Sequence, residues 1–137
     1  MIIQQTQIVT NGDMSLPINS FGIHMNMFNG RSITNCAIQA IFNGPTPNGT
    51  FKLQISCDPV DVPIGTDQGT DNPAIDPAIN VVNWSDYTGS MAAVVGPGTF
   101  IWNIFNPGYR WLRLVFTPGV GSVGTLLEAN FTGKRLI

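Results

Sequence analysis

Apolar and polar positions alternate over short runs along most of this chain, and the runs end on glycine, proline or asparagine. Side chains on a strand point to opposite faces in turn, so this period of two predicts half-buried β-strands. The plainest stretch lies between Thr99 and Lys134. Thr99–Phe105 leads through Asn106-Pro107-Gly108 into Arg110–Thr117, and Pro118-Gly119-Val120-Gly121 leads on into Thr125–Thr132. Apolar runs joined in succession by turn chemistry predict a β-meander.

Upstream, Ile2 to Val9 reads as a first strand closed by Asn11-Gly12-Asp13, and Phe21 to Phe28 as a looser one closed by Asn29-Gly30. Thr34 to Phe42 and Thr50 to Cys57 are stronger, while Val81 to Tyr87 and Met91 to Val95 are short candidates. No window carries a helical period: Met91 to Val95 is brief and is broken by Gly96-Pro97-Gly98. Together these runs predict about eight or nine strands at the spacing of a sandwich or barrel.

The runs at 34–57 imply a register. Phe51, Leu53, Ile55 and Cys57 form one apolar set, and Cys36, Ile38, Ala40 and Phe42 form another. Placing Phe42 opposite Phe51 across the Asn43–Gly49 loop pairs Ala40 with Leu53, Ile38 with Ile55 and Cys36 with Cys57. The two cysteines are then expected to be cross-strand neighbours. In a reducing cytosol they are expected as two buried thiols rather than a disulfide.

A length of 137 residues fits one domain with a sizeable core. Charge is the unusual quantity: only 10% of residues are charged, against about 25% in ordinary domains. The polar surface therefore comes mostly from Asn, Thr, Ser and Gln. Sparse charge weakens repulsion between molecules, which suits either an amide-rich soluble surface or one covered in an assembly. A net charge of −2 gives no basic field for nucleic acid. No apolar run approaches a membrane span, and the first residues lack the basic start and apolar stretch of a signal peptide. Glycosylation-like triplets begin at Asn48, Asn83 and Asn130; without a secretory signal they read as chance in an Asn- and Thr-rich chain.

From Asp58 to Pro77 the alternation collapses into a long loop with five of the eight acidic residues, four prolines and no basic residue. Loops of this length are often functional, and proline lowers the entropy cost of ordering one on a partner. The Asp67-x-x-x-Asp71 spacing does not match a calcium loop, so a solvated acidic loop is the favoured reading. Chemistry elsewhere is thin. His24 is the single histidine and lies in an apolar-rich run, where a half-buried strand residue is expected rather than a general base. The cysteines lie on core faces and make poor nucleophiles. Glu128 is the one glutamate, expected to face outward with no positioned carboxylate partner for glycoside hydrolysis. No zinc cluster or phosphate loop is spelled out. We expect no enzyme, cofactor or metal.

Arg110–Thr117 is different. Leu112, Leu114 and Phe116 form a core face; Trp111, Arg113 and Val115 form the other. Tryptophan and arginine dominate binding hot spots, so Arg110, Trp111 and Arg113 are candidate interface residues. The competing expectation buries Trp111 within the sandwich and pairs Arg113 with Glu128 or Asp86. Trp84 and Trp102 are expected in the core.

The order of parts resembles small structural proteins of tailed bacteriophages. The resemblance lies in Phe51–Pro59, the acidic loop, Trp84-Ser85-Asp86-Tyr87, Gly98–Asn103, Tyr109–Leu114 and Gly124-Thr125-Leu126. It covers roughly residues 50–133 and includes no defined site motif. It implies a β-sandwich decoration, cement or fibre module, usually a symmetric oligomer. The expectation is thus an all-β antiparallel sandwich over residues 1–137, jelly-roll-like, with about eight strands and one long acidic loop (58–77). It is expected to act as a homo-oligomeric capsid decoration protein made in the host cytoplasm. It would sit in the virion on the major capsid protein or another virion protein, touching neither nucleic acid nor membrane. A receptor- or carbohydrate-binding module of a tail fibre is the alternative.

Overall fold

The computed structural model describes residues 2–27, 31–57, 83–105 and 107–135, and is all-β. The strands are β1 (Ile2–Asp13), β2 (Ile18–Asn19), β3 (Ile23–His24), β4 (Asn26–Met27), β5 (Arg31–Thr46), β6 (Gly49–Ser56), β7 (Ser85–Asp86), β8 (Ala92–Val94), β9 (Gly98–Phe105), β10 (Trp111–Pro118) and β11 (Val123–Arg135). They form two antiparallel sheets packed face to face. Sheet one runs β1-β11-β5-β9, with β4 on the first two residues of β5. In sheet two, β2 and β3 lie in tandem along one edge of β10. β6 takes its other edge, and β7 and β8 lie in tandem beyond β6.

The apolar sets read from the sequence face one another between the sheets. Ile38, Ala40 and Phe42 of β5, Phe51 and Leu53 of β6, Leu112, Leu114 and Phe116 of β10, and Leu126, Ala129 and Phe131 of β11 are all buried there. Phe51 is the junction. Its ring lies 5.4 Å from Phe42 and 4.8 Å from Phe116, with Phe100 and Trp102 at 6.1 and 6.0 Å.

The partners of the strands differ from expectation in two places. The stretch from Thr99 to Lys134 is not a meander: β9 lies in sheet one, β10 in sheet two and β11 in sheet one again. The glycine- and proline-rich connections cross the edge of the sandwich instead of closing hairpins. Local pattern fixes a strand and its inward face, but all three strands take their partners from distant β5, β6 and β1.

The same happens between β5 and β6, which also lie in different sheets. Phe42 and Phe51 do face one another, but across the interior rather than along a ladder. Cys36 and Cys57 are therefore not cross-strand neighbours. Cys36 is buried and Cys57 exposed, both as free thiols, because the alternation that would turn Cys57 inward stops with β6 at Ser56. The crossing is held by Asn48, whose backbone N–H donates to Ser122 Oγ at 3.1 Å and whose Nδ2 donates to the Val120 carbonyl at 3.1 Å. Gly49 enters β6 at φ +133°, where a Cβ would run into the Thr117 carbonyl oxygen.

Other departures are local. β1 does not end at Asn11-Gly12-Asp13 but continues through it, with a bulge between Gln7 and Val9 and Asn11 at φ +51°. It stops where the Asp13 carboxylate accepts hydrogen bonds from the Ser15 N–H (2.9 Å) and hydroxyl (2.7 Å), a local turn that competes with the ladder. The run expected over 21–28 is split into β3 and β4, with Phe28 outside the described residues. The 58–77 loop also lies outside the described residues.

Candidate functional site

Trp111 and Arg113 share a face of β10, as alternation requires, and it is the outer face of sheet two. Trp111 is nonetheless only 1% exposed. The His24 ring from neighbouring β3 stacks on it at 4.9 Å with 27° between planes. Gly22 lies against the same indole, where a Cβ would stand 3.5 Å from Trp111 Cε3 and 3.8 Å from Trp84 Cη2. Trp111 is thus buried on the outside of a sheet, not between the two.

Arg113 lies over the Trp84 ring at 4.3 Å, and its Nε and Nη2 both donate to Gln54 Oε1, at 2.9 and 2.6 Å. Gln54 Nε2 in turn donates to Asp86 Oδ1 at 3.0 Å, and Lys52 Nζ sits 3.0 Å from the same oxygen. The expected Arg113 carboxylate pair is therefore replaced by a relay through Gln54. Adjacent strands bring Arg113 opposite Gln54 and Gln54 opposite Asp86. The cation is shared with an aromatic face and an amide, which suits a half-buried guanidinium. Trp84 belongs to this outer cluster rather than to the core. Trp102 does pack on the core, with its Nε1 donating to the Ser90 carbonyl at 2.7 Å.

Arg110, just before β10, has an exposed side chain and a pinned backbone: its N–H donates to the Ser56 carbonyl at 3.0 Å and its carbonyl accepts from Met25 N–H at 2.7 Å. Burial first, and then the Arg110 charge, hold His24 down to about 4. His24 is a neutral ring at physiological pH, used for stacking. Burial pushes the Cys36 thiol up to about 12, so it is not a ready nucleophile. Glu128 accepts from Gln7 Nε2 and Asn130 Nδ2, each at 3.2 Å. Among the described residues no three His, Cys, Asp or Glu side chains are grouped to hold a metal ion.

Two further surfaces emerge only from the topology. At one end of the sandwich, the β1–β2, β5–β6, β8–β9 and β10–β11 connections converge. Met14 N–H bonds the Gly124 carbonyl, Gly119 N–H the Asn48 carbonyl and Thr46 Oγ1 the Gly121 carbonyl, while Gly98 lies opposite Phe42 and Val94 opposite Gly49. These loops present Leu16 (58% exposed), Val95 (94%), Val120 (102%) and Val123 (51%) to solvent. Residues 14–17, 43–49, 95–98 and 118–124 carry no charge, and Asp13 beside them is engaged by Ser15. Scattered valines in Gly/Pro runs look like ordinary turns in sequence; only the fold gathers them into one apolar end.

The second surface is a shallow groove of 420 Å³ lined by Gln5, Thr6, Gln7, Gln39, Asn130, Phe131 and Thr132. Uncharged amide residues predominate in its lining, the Gln7 and Asn130 amides being oriented by Glu128. Compared with known protein families and with curated proteins, the chain matches none.

Proposed function

We propose that this chain is a non-enzymatic structural protein of a tailed-phage virion, a capsid decoration or cement protein that docks on the capsid surface through its loop end. The observation that carries the reading is that four charge-free connections lie at one end of the sandwich and leave Leu16, Val95, Val120 and Val123 exposed at that end. Exposed apolar residues gathered at one uncharged end of a fold favour a contact surface. Hydrogen bonds from Asn48 and Thr46 hold the loops in place before contact, which lowers the cost of binding. We also read the strand order, β1-β11-β5-β9 facing β2/β3-β10-β6-β7/β8, as that of a jelly roll. Fold alone assigns no function, so the weight rests on the loop end.

The mechanism is linkage. A protein that binds the assembled lattice and not its free subunits stabilises the lattice by about 2.7 kcal/mol per site when present at a hundred times its dissociation constant. The partner is the major capsid protein or another virion protein, met after synthesis in the host cytoplasm. The test is co-sedimentation with empty heads of the phage that encodes the protein. Wild type should pellet with heads, and Val120→Asp and Val95→Asp should stay in the supernatant while keeping the wild-type circular dichroism. A wild-type protein that does not pellet refutes the reading. The amide-lined groove favours a second one, a tail-fibre module holding a neutral glycan by hydrogen bonds. Saccharide binding lost in Gln39→Ala, with no affinity for heads, would select it.

A further inference from the structure

The four lateral edges of the two sheets are unequal. β1 is bulged between Gln7 and Val9 and twisted at Asn11. The β2/β3 and β7/β8 edges of sheet two are built from tandem pieces of two or three residues. Short pieces and bulges are the devices by which sheets avoid pairing with one another. β9 has none of them. Its eight residues, Gly98–Phe105, run in unbroken register along β5 and contain no charged residue and no proline. Among the described residues β9 pairs with β5 alone. Thr99, Ile101, Asn103 and Phe105 are all exposed, Ile101 at 58% and Phe105 at 71%. On the inner side Phe100 and Trp102 pack against the core, each with a minor part of its surface still open.

We propose that β9 is a homotypic interface, pairing antiparallel with β9 of a second copy about a two-fold axis. An isologous contact needs a self-complementary patch, and this strand offers no charge by which to choose or reject any other sequence. Antiparallel pairs share a face, so the register is restricted to steps of two. Centring it on Trp102 sets Ile101 against Asn103 and Phe105 against Thr99. Of the two neighbouring registers, one sets Phe105 against Pro97 and the other sets Thr99 against Pro107, and proline has no N–H to give. With Trp102 at the centre, the inner faces of the copies meet and the uncovered parts of Phe100 and Trp102 are shielded by their counterparts. The two sheets one become a single continuous sheet.

The inference is independent of the capsid reading, since it concerns solution mass and not attachment. Light scattering on the full chain over a range of concentrations should approach twice the 14.8 kDa of one chain. Ile101→Lys, at an exposed position, should halve that mass without changing the circular dichroism, because an edge lysine blocks strand addition. Leu127→Lys, on central β11 of the same sheet, should stay double. Hydrogen exchange of the wild type should show β9 amides slowing as concentration rises. A single-chain mass at every concentration overturns the proposal, as does a doubled mass that survives Ile101→Lys and is lost in Val120→Lys. A partner of another kind on this edge would show as the first of these.

Discussion

Phe51→Ala tests how the two sheets are joined. Phe51 is 0% exposed and meets rings from both sheets: Phe116 beside it in sheet two, and Phe42, Phe100 and Trp102 opposite in sheet one. Truncating a buried phenylalanine costs about 3–5 kcal/mol, more where the walls cannot collapse. Here the walls are strands whose registers are held on both sides by ladder hydrogen bonds, so the hole stays open and a loss of about 4 kcal/mol is expected. That is a large part of the 5–15 kcal/mol typical of a domain. Phe51→Leu keeps most of the volume and loses the ring contacts, and should cost about 1–2 kcal/mol. Urea unfolding followed by tryptophan fluorescence reads both. With a slope near 1.5 kcal/mol/M, Phe51→Ala should lower the midpoint by about 2–3 M. Met91→Ala, at a position 69% exposed, should change stability by no more than about 0.5 kcal/mol. A loss below about 1.5 kcal/mol for Phe51→Ala at unchanged slope, or an equal loss for Met91→Ala, would show that Phe51 is not the junction of the core.

Further outcomes follow from groups already described. The His24 pKa is about 4 in the fold against 6.5 in its absence, so the unfolded chain binds the extra proton between those values. Stability should therefore be full above pH 6.5 and fall by at most about 3 kcal/mol as the pH drops through 4. His24→Phe, which keeps a ring on Trp111, should flatten that window in denaturation curves taken from pH 7 to 4. A disulfide-exchange reagent at neutral pH should label Cys57 quickly and Cys36 only with unfolding, giving one fast thiol in wild type and none in Cys57→Ser. Gly49→Ala places a side chain at φ +133° and against the Thr117 carbonyl oxygen. It should cost about 1–3 kcal/mol in backbone strain alone, with a further loss from the displaced strand, read as a lower midpoint of thermal unfolding.

The inward faces of the strands were legible in the sequence because alternation is a local property: Ile38-Ala40-Phe42, Phe51-Leu53 and Leu112-Leu114-Phe116 all point where their spacing directs. Partners were not legible, since a strand's edge carries no sequence label. Asn43–Gly49 and Pro107-Gly108 have the chemistry of turns, yet the strands on either side of each belong to different sheets. Cys36 and Cys57 were misplaced together for that reason. Trp111 shows a finer failure. Alternation set it on the face opposite Leu112 and Leu114 and left it open between interface and sandwich interior; its burial comes with the His24 ring and Gly22, from a segment remote in sequence. Arg113 has a similar history, because Gln54 stands between it and Asp86 only in the assembled sheet.

β11 lies between β1 and β5, and β10 lies between β2/β3 and β6. These two central strands follow all of their partners along the chain, and so are synthesised after them. While the chain is being made, β1, β5 and β6 have emerged with the ladders they need still missing, and neither sheet can close. Folding must wait for the late strands and then join distant segments at once, which is slow and leaves strand edges open in the interim. With few charges to keep nascent chains apart, the interval before β11 emerges is when this protein is most exposed to aggregation.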